Sequence, residues 1–231
     1  MKIGVINFSG NVGKSTIARH LLSPRMGNAR ILAVESINSD GTDEEAIRGK
    51  QFGELSEALA VLDDVVVDIG ASNVEDFISR MKQYRGSHED FDYFIVPAVG
   101  KPKQQRDTIS TVDALADLGV PPHKIRVVFN MVEADEAPER LFAGLFEYHS
   151  AEHLFTLRPA AVVSTNDVYG RLRASSQSIS EILDDPTDLK AMLKAAADPE
   201  EKLRVSRRIA LRRLAAGATE ELDAVFAALL S

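Results

Sequence analysis

The sequence predicts an α/β protein: a mostly parallel, doubly wound sheet flanked by helices, with a helical C-terminal tail. Three observations carry this. Short apolar runs rich in Val and Ile alternate with longer stretches of helical spacing. The runs are nearly continuous in apolar character, as parallel strands covered on both faces must be. A glycine-bearing turn joins the first run to the first helix within sixteen residues of the start. Repeated strand–helix alternation implies right-handed crossovers and a parallel sheet.

The elements follow in order. Lys2–Phe8 is a strand (KIGVINF) that leads through a turn into a helix over Lys14–Leu22. Arg30–Glu35 (RILAVE) is the second strand, followed by helical spacing over Phe52–Leu62. Val65–Ile69 (VVVDI) is the third, ending in a carboxylate and a glycine, with a helix over Asn73–Tyr84. Tyr93–Val99 and Arg126–Met131 are further buried strands, separated by a helix over Arg106–Leu118. A helix over Glu139–His149 precedes the last strand, Ala160–Ser164. From Ser178 to Ser231 the pattern is all helical, with breaks at Asp185–Pro186 and Asp198–Pro199, where proline interrupts the helical ladder.

The 231 residues are 45% hydrophobic and 27% charged, the mixture of a globular protein large enough to bury a core without staples. There is no cysteine, which excludes disulfides, thiolate metal sites and cysteine nucleophiles. No apolar run reaches the roughly 20 residues that span a bilayer, and no secretory leader is evident, so a cytoplasmic location is expected. The net charge of −8 disfavours nonspecific attraction to nucleic acid by the molecule as a whole. With no Trp and 6% aromatic residues, stacking platforms for single strands are not expected.

The strongest local signal is Asn7–Thr16, N-F-S-G-N-V-G-K-S-T, placed between a strand and a helix as a phosphate-binding loop requires. Gly10 and Gly13 let the backbone curl so that successive N–H groups face a polyphosphate. The helix N-terminus adds partial positive charge. In such a loop Lys14 neutralises the β and γ phosphates, the Ser15 hydroxyl ligates Mg²⁺, and Thr16 lies near the α phosphate. The candidate nucleotide-binding set is therefore Ser9, Gly10, Asn11, Val12, Gly13, Lys14, Ser15 and Thr16, with a nucleoside triphosphate and Mg²⁺ as the expected cofactors. The usual pattern has a glycine where this chain has Phe8. The alternative is an ordinary strand–turn–helix junction. Asp68, at the end of VVVDIG, is the second candidate metal-holding and catalytic residue; alternatively it caps the helix that begins near Asn73.

These residues resemble the ParA/MinD class of P-loop ATPases, whose loop reads K-G-G-x-G-K-[ST]. The likeness extends over roughly residues 1–173 and takes in ILAVE, VVVDIGASN, FDYFIVPAVGKP and HKIRVVFNMV. It implies that residues 1–231 form a single P-loop NTPase domain, with 178–231 a helical extension packed on it. It also implies an ATP-dependent protein that dimerises around nucleotide and serves DNA segregation or positioning, with a plasmid-encoded DNA-binding adaptor as partner. Asn130 falls where that family has an Asn contacting the adenine. Three departures stand out. The family's signature lysine falls on Ser9 and its second loop glycine on Asn11, while its D-x-D-P motif is replaced by Glu35 and Ile37. Asp40 is a candidate to orient the attacking water, or is simply part of an Asp-Gly turn. A missing trans cation removes transition-state stabilisation, so slow or partner-dependent hydrolysis is expected; such groups are worth about 10³-fold or more. Lys101 and Lys103 are candidate replacements, or a solvated loop.

Glu200–Arg213 (EEKLRVSRRIALRR) carries six cations, Lys202, Arg204, Arg207, Arg208, Arg212 and Arg213, against two carboxylates, net +4. Arg204, Arg208 and Arg212 repeat every four residues on one flank of a helix, with Leu203, Ala210, Leu211 and Leu214 expected inward. Such a row meets several phosphates of a duplex without reading its sequence; alternatively it is a solvated face that pairs with acidic groups. A final helix is expected over Thr219–Leu230, capped by Thr219, with an apolar stripe for packing or dimer contact. A nonhydrolytic nucleotide-binding scaffold and a small-molecule kinase or ligase on the same fold are the competing functions.

Overall fold

The computed structural model describes residues 1–34, 44–175 and 177–231. Six parallel strands form one sheet: β1 (Lys2–Val5), β2 (Arg30–Val34), β3 (Val65–Ile69), β4 (Tyr93–Ala98), β5 (Ile125–Val132) and β6 (Thr156–Ser164). Their order is β2-β3-β1-β4-β5-β6. The registers place Val5 beside Asp68 and Ile95 beside Val5, so the chain leaves β1 between β3 and β4, at the point where the strand order reverses. That is where an open α/β sheet leaves a crevice at the carboxyl ends of its strands.

β3 feeds both faces. Val65, Val67 and Ile69 of β3 enter one apolar layer, while Val66 enters the other. The first layer is closed by α2 (Glu44–Val61), α3 (Val74–Gln83), α4 (Pro102–Asp117) and α5 (Ala143–Glu152), through side chains such as Phe52, Phe77, Val112 and Leu145. The second holds α1, a helix over residues 14–25 whose middle, Ile17–Leu22, is π-helical. It is completed by α6 (Asp167–Ser175), α7 (Ile179–Asp184) and α9 (Pro199–Leu230), with α8 (Leu189–Ala195) leaning on α9. Val225 and Leu229 of α9 join Ile95, Val128 and Val163. The C-terminal helices therefore cover sheet surface that α1 alone would leave wet.

Several boundaries differ from the sequence expectation. β1 stops at Val5 because Ile6–Phe8 peel away into the loop, although Ile6 still donates its N–H to the Ile95 carbonyl at 3.0 Å. β6 starts four residues early, at Thr156; it lies at the sheet edge, where Pro159 costs no ladder bond, and its register shifts along β5. α6 has no counterpart in the expected helices. The two expected C-terminal helices are one: α9 runs on through Gly217, and the Thr219 hydroxyl donates to the Ala215 carbonyl at 2.9 Å instead of capping a new helix. The breaks at Asp185 and Asp198 occur as expected; Asp185 ends α7, and the Asp198 side chain accepts from the Glu201 N–H.

Two ties fasten the C-terminal layer. Arg25 of α1 donates to the Thr219 carbonyl at 3.0 Å and meets Asp223 at 2.8 Å. Arg126, a buried residue of β5 with its guanidinium 4.7 Å from the Tyr93 ring, donates to the carbonyls of Leu229 and Ser231 at 2.8 Å each.

Candidate functional site

The turn between β1 and α1 is held in one shape. Gly13, the N-cap of α1, has φ +84° and offers no side chain to the helix end. A Cβ there would lie 2.2 Å from the Asn130 side-chain nitrogen, so glycine is required twice over, by backbone and by space. Asn11 also sits in the left-handed region, at φ 58°, which asparagine tolerates better than most residues. The Lys14 side chain folds back over the turn and donates to the carbonyls of Asn7 at 3.1 Å and Ser9 at 2.8 Å. Burial pulls the pKa of its ammonium below the ordinary lysine value, and the nearby charge of Asp68 opposes that shift. Ser15 is exposed at the mouth, with Thr16 half-buried behind it.

Asp68 is the penultimate residue of β3, beside the last residue of β1, half-buried and within the electrostatic reach of Lys14. Two residues later, Gly70 donates its N–H to the Val34 carbonyl at 3.0 Å, and the Asn73 side chain donates to the same oxygen at 3.0 Å. The segment following Asp68 is thus anchored to β2. Glu35, Ile37 and Asp40 lie outside the described residues.

The expected site residues are distributed unevenly. Ser9 is buried; its hydroxyl donates to the Asp107 carboxylate, and its N–H donates to the Asn7 side chain at 2.7 Å. Asn130 is buried as well, and its amide donates to the Val12 carbonyl at 2.9 Å, clasping the turn from β5. Its neighbour Met131, at φ 58° and 47% exposed, lies beside Gly13 and gives the mouth an apolar edge that the sequence pattern did not flag. Lys101 is exposed at the start of α4. The Lys103 ammonium is 3.9 Å from Asp107 at the rim of a cleft of about 550 Å³, lined by Phe8, Ser72, Glu75, Lys103, Asp107 and Ser110.

The basic stretch of α9 divides in two. Arg208 pairs with Asp185 at 2.8 Å, and Arg212 donates to the carbonyls of Ile182 and Thr187 at 3.2 Å and to that of Asp185. Both arginines are spent closing the connection after α7. The hydroxyl of Thr187 together with the arginine holds the Asp185 carboxyl down at about 2. Lys202, Arg204, Arg207 and Arg213 remain exposed, Arg204 with a 4.0 Å contact to Glu201. The expected inward side holds in part: Leu211 and Leu214 pack against the second apolar layer, whereas Leu203 is 51% exposed and Ala210 exposed, and Val205, Ala215, Ala218 and Leu222 are buried.

No protein-family model matches the chain, and no curated protein matches it. Solved structures do. Nucleotide-free McdA from Cyanothece is similar with a TM-score of 0.53 at 14% identity, over 96% of this chain and 98% of that one. An ATP complex of a variant of Cyanothece McdA is similar with a TM-score of 0.50 at 14% identity, over 96% of each chain. The fold is that of these McdA structures, and here it is a six-stranded parallel sheet flanked by helices. Among the described residues no helix is long and apolar enough to cross a membrane.

Proposed function

We propose that the protein is a ParA-like nucleotide-binding protein that holds ATP and Mg²⁺ in the β1–α1 turn and acts in DNA segregation or positioning. The observation that carries this is the state of Lys14: a buried ammonium parked on two carbonyls of its own glycine turn, at a helix N-terminus, within the field of Asp68. A cation held in this way has little to do except meet a multiply charged anion. Ser15 and Asp68, a hydroxyl and a carboxylate, are hard oxygen donors of the kind Mg²⁺ takes alongside phosphate oxygens. Bound there, the ion would shield charge on the phosphates.

The finer reading is a plasmid stability protein of the StbB type, whose N-terminal residues resemble Met1–Met26, acting in plasmid partition or conjugation as a nucleotide-dependent homodimer with a DNA-binding adaptor. Nonspecific DNA would meet Lys202, Arg204, Arg207 and Arg213 on α9. A second reading, nucleotide binding without turnover, is favoured by Ser9, whose hydroxyl is engaged by Asp107 where the related ATPases carry a cation.

Calorimetric titration with ATP, GTP and slow analogues, with and without Mg²⁺, tests the central claim. Binding that strengthens with Mg²⁺ in the natural protein, and loses that dependence in Asp68→Asn, supports it. No heat at millimolar nucleotide sinks it. Phosphate release measured with and without DNA separates the two readings, since turnover under either condition rules out the nonhydrolytic one.

A further inference from the structure

Three side chains of α4 grip the outgoing arm of the turn, Asn7–Ser9. The Thr108 hydroxyl gives its proton to the Gln104 carbonyl at 2.9 Å and accepts from the Asn7 amide at 2.9 Å. The other proton of that amide goes to the Pro97 carbonyl at 2.9 Å, and the Asn7 side-chain oxygen accepts the Ser9 N–H. One turn of helix later, the Thr111 hydroxyl gives its proton to the Asp107 carbonyl at 2.7 Å and accepts the Phe8 N–H at 3.1 Å. Asp107, with Lys103 beside it, accepts the Ser9 hydroxyl. Each threonine proton is committed within α4, so each hydroxyl can only accept from the arm. Asn7, Thr108 and Thr111 are fully buried, so water cannot replace a lost partner. The carbonyls of the arm, those of Asn7 and Ser9, are the ones that hold Lys14.

We propose that Asp107, Thr108 and Thr111 are positioning residues of the nucleotide site, which fix the arm that parks Lys14 and so set nucleotide affinity from a helix about a hundred residues along the chain. The inference rests on the reading of the turn as a nucleotide site and assigns part of its control to side chains outside the loop motif. Two hydroxyls and a carboxylate spaced at 107, 108 and 111 face one strip of chain, one residue each, which packing alone does not require.

The test is ATP-analogue titration in Mg²⁺ on the full chain, with thermal midpoints measured without nucleotide. Thr111→Val keeps the side-chain volume but strands the Phe8 N–H, and is expected to weaken binding about tenfold. Thr111→Ser, which restores the acceptor, is expected to return it to within about twofold. A lower midpoint for Thr111→Val with unchanged affinity of the folded protein would assign the contact to stability alone and overturn the proposal. Ser9→Ala and Asp107→Ala serve if the valine variant does not fold: the pair acts as one unit, so the double variant is expected to bind no more weakly than the worse single one. Additive losses would overturn it. If the natural protein shows no binding at all, the nucleotide reading falls and this inference falls with it. If the natural protein binds and these variants match it, the inference alone fails.

Discussion

The β1–α1 turn and the basic stretch of α9 are both polar sequences, but their side chains have different relations to the fold. In the turn, Ser9 and Lys14 are buried, as is Asn130 of β5 against it, and each bonds a specific backbone or carboxylate oxygen. In α9, Arg208 and Arg212 close an internal connection, while Lys202, Arg204, Arg207 and Arg213 face solvent. A turn that needs glycine at φ +84° and a lysine folded over it admits few sequences; a charged helix face admits many. Residue type therefore carries functional information in the first region, and in the second only pairing geometry does.

The largest effect that would break this contrast is at Lys14. Lys14→Ala is expected to weaken nucleotide binding about 100-fold or more, the loss of charge-assisted bonds to phosphate; calorimetry in which the variant matches the natural protein would place the turn with ordinary junctions. The second prediction concerns the helix behind the turn. Burial, with help from the Arg19 charge, lowers the His20 pKa to about 4, so the folded protein refuses a proton that the unfolded chain binds below about 6.5. Stability is complete above that value and falls as pH drops towards 4, by about 2 kcal/mol at pH 5. Thermal midpoints measured between pH 7 and 4.5 should show the slope, and His20→Gln should flatten it.

Smaller effects sharpen the second region. Arg207→Glu is expected to weaken nonspecific DNA binding about tenfold at low salt and to reduce the salt slope by about one. Arg208→Ala should instead lower the thermal midpoint while leaving the DNA affinity of the folded protein close to natural; equal losses at both positions in a gel-shift series would erase the division between them. The smallest is at Gly217, in the middle of α9, where an added Cβ would meet nothing within 4 Å. Gly217→Ala should stabilise the protein by about 0.5–1 kcal/mol, seen as a higher denaturation midpoint, provided that α9 is continuous there.

Much of the architecture was legible because buried parallel strands leave a strong trace: VVVDI, YFIVPA and IRVVFNMV all fall where the apolar runs put them. The turn was legible for the same reason of constraint. The α4 grip was not, since Asp107, Thr108 and Thr111 look like common polar residues of an exposed helix, and only the strand order β1-β4 brings that helix against the turn. Nor did spacing reveal the fate of Arg208 and Arg212. A repeat of four residues places them on one flank, but the acceptors at Ile182, Asp185 and Thr187 belong to a connection whose path the sequence does not encode locally. The inward placement of Leu203 failed for a related reason: α9 meets the sheet only further along, where Ala215, Leu222 and Leu229 are buried.

Three of the bonds that shape the turn reach far along the chain: 101 residues from Asn7 to Thr108, 103 from Phe8 to Thr111 and 118 from Asn130 back to Val12. A ribosome therefore releases the cradle long before it has made the parts that mould it. Nascent chains that end short of β5 carry the turn without its clasp, and a nucleotide offered to them would find no finished seat. A nucleotide bound there would not act as an early template; it would stabilise only a fold that is nearly complete.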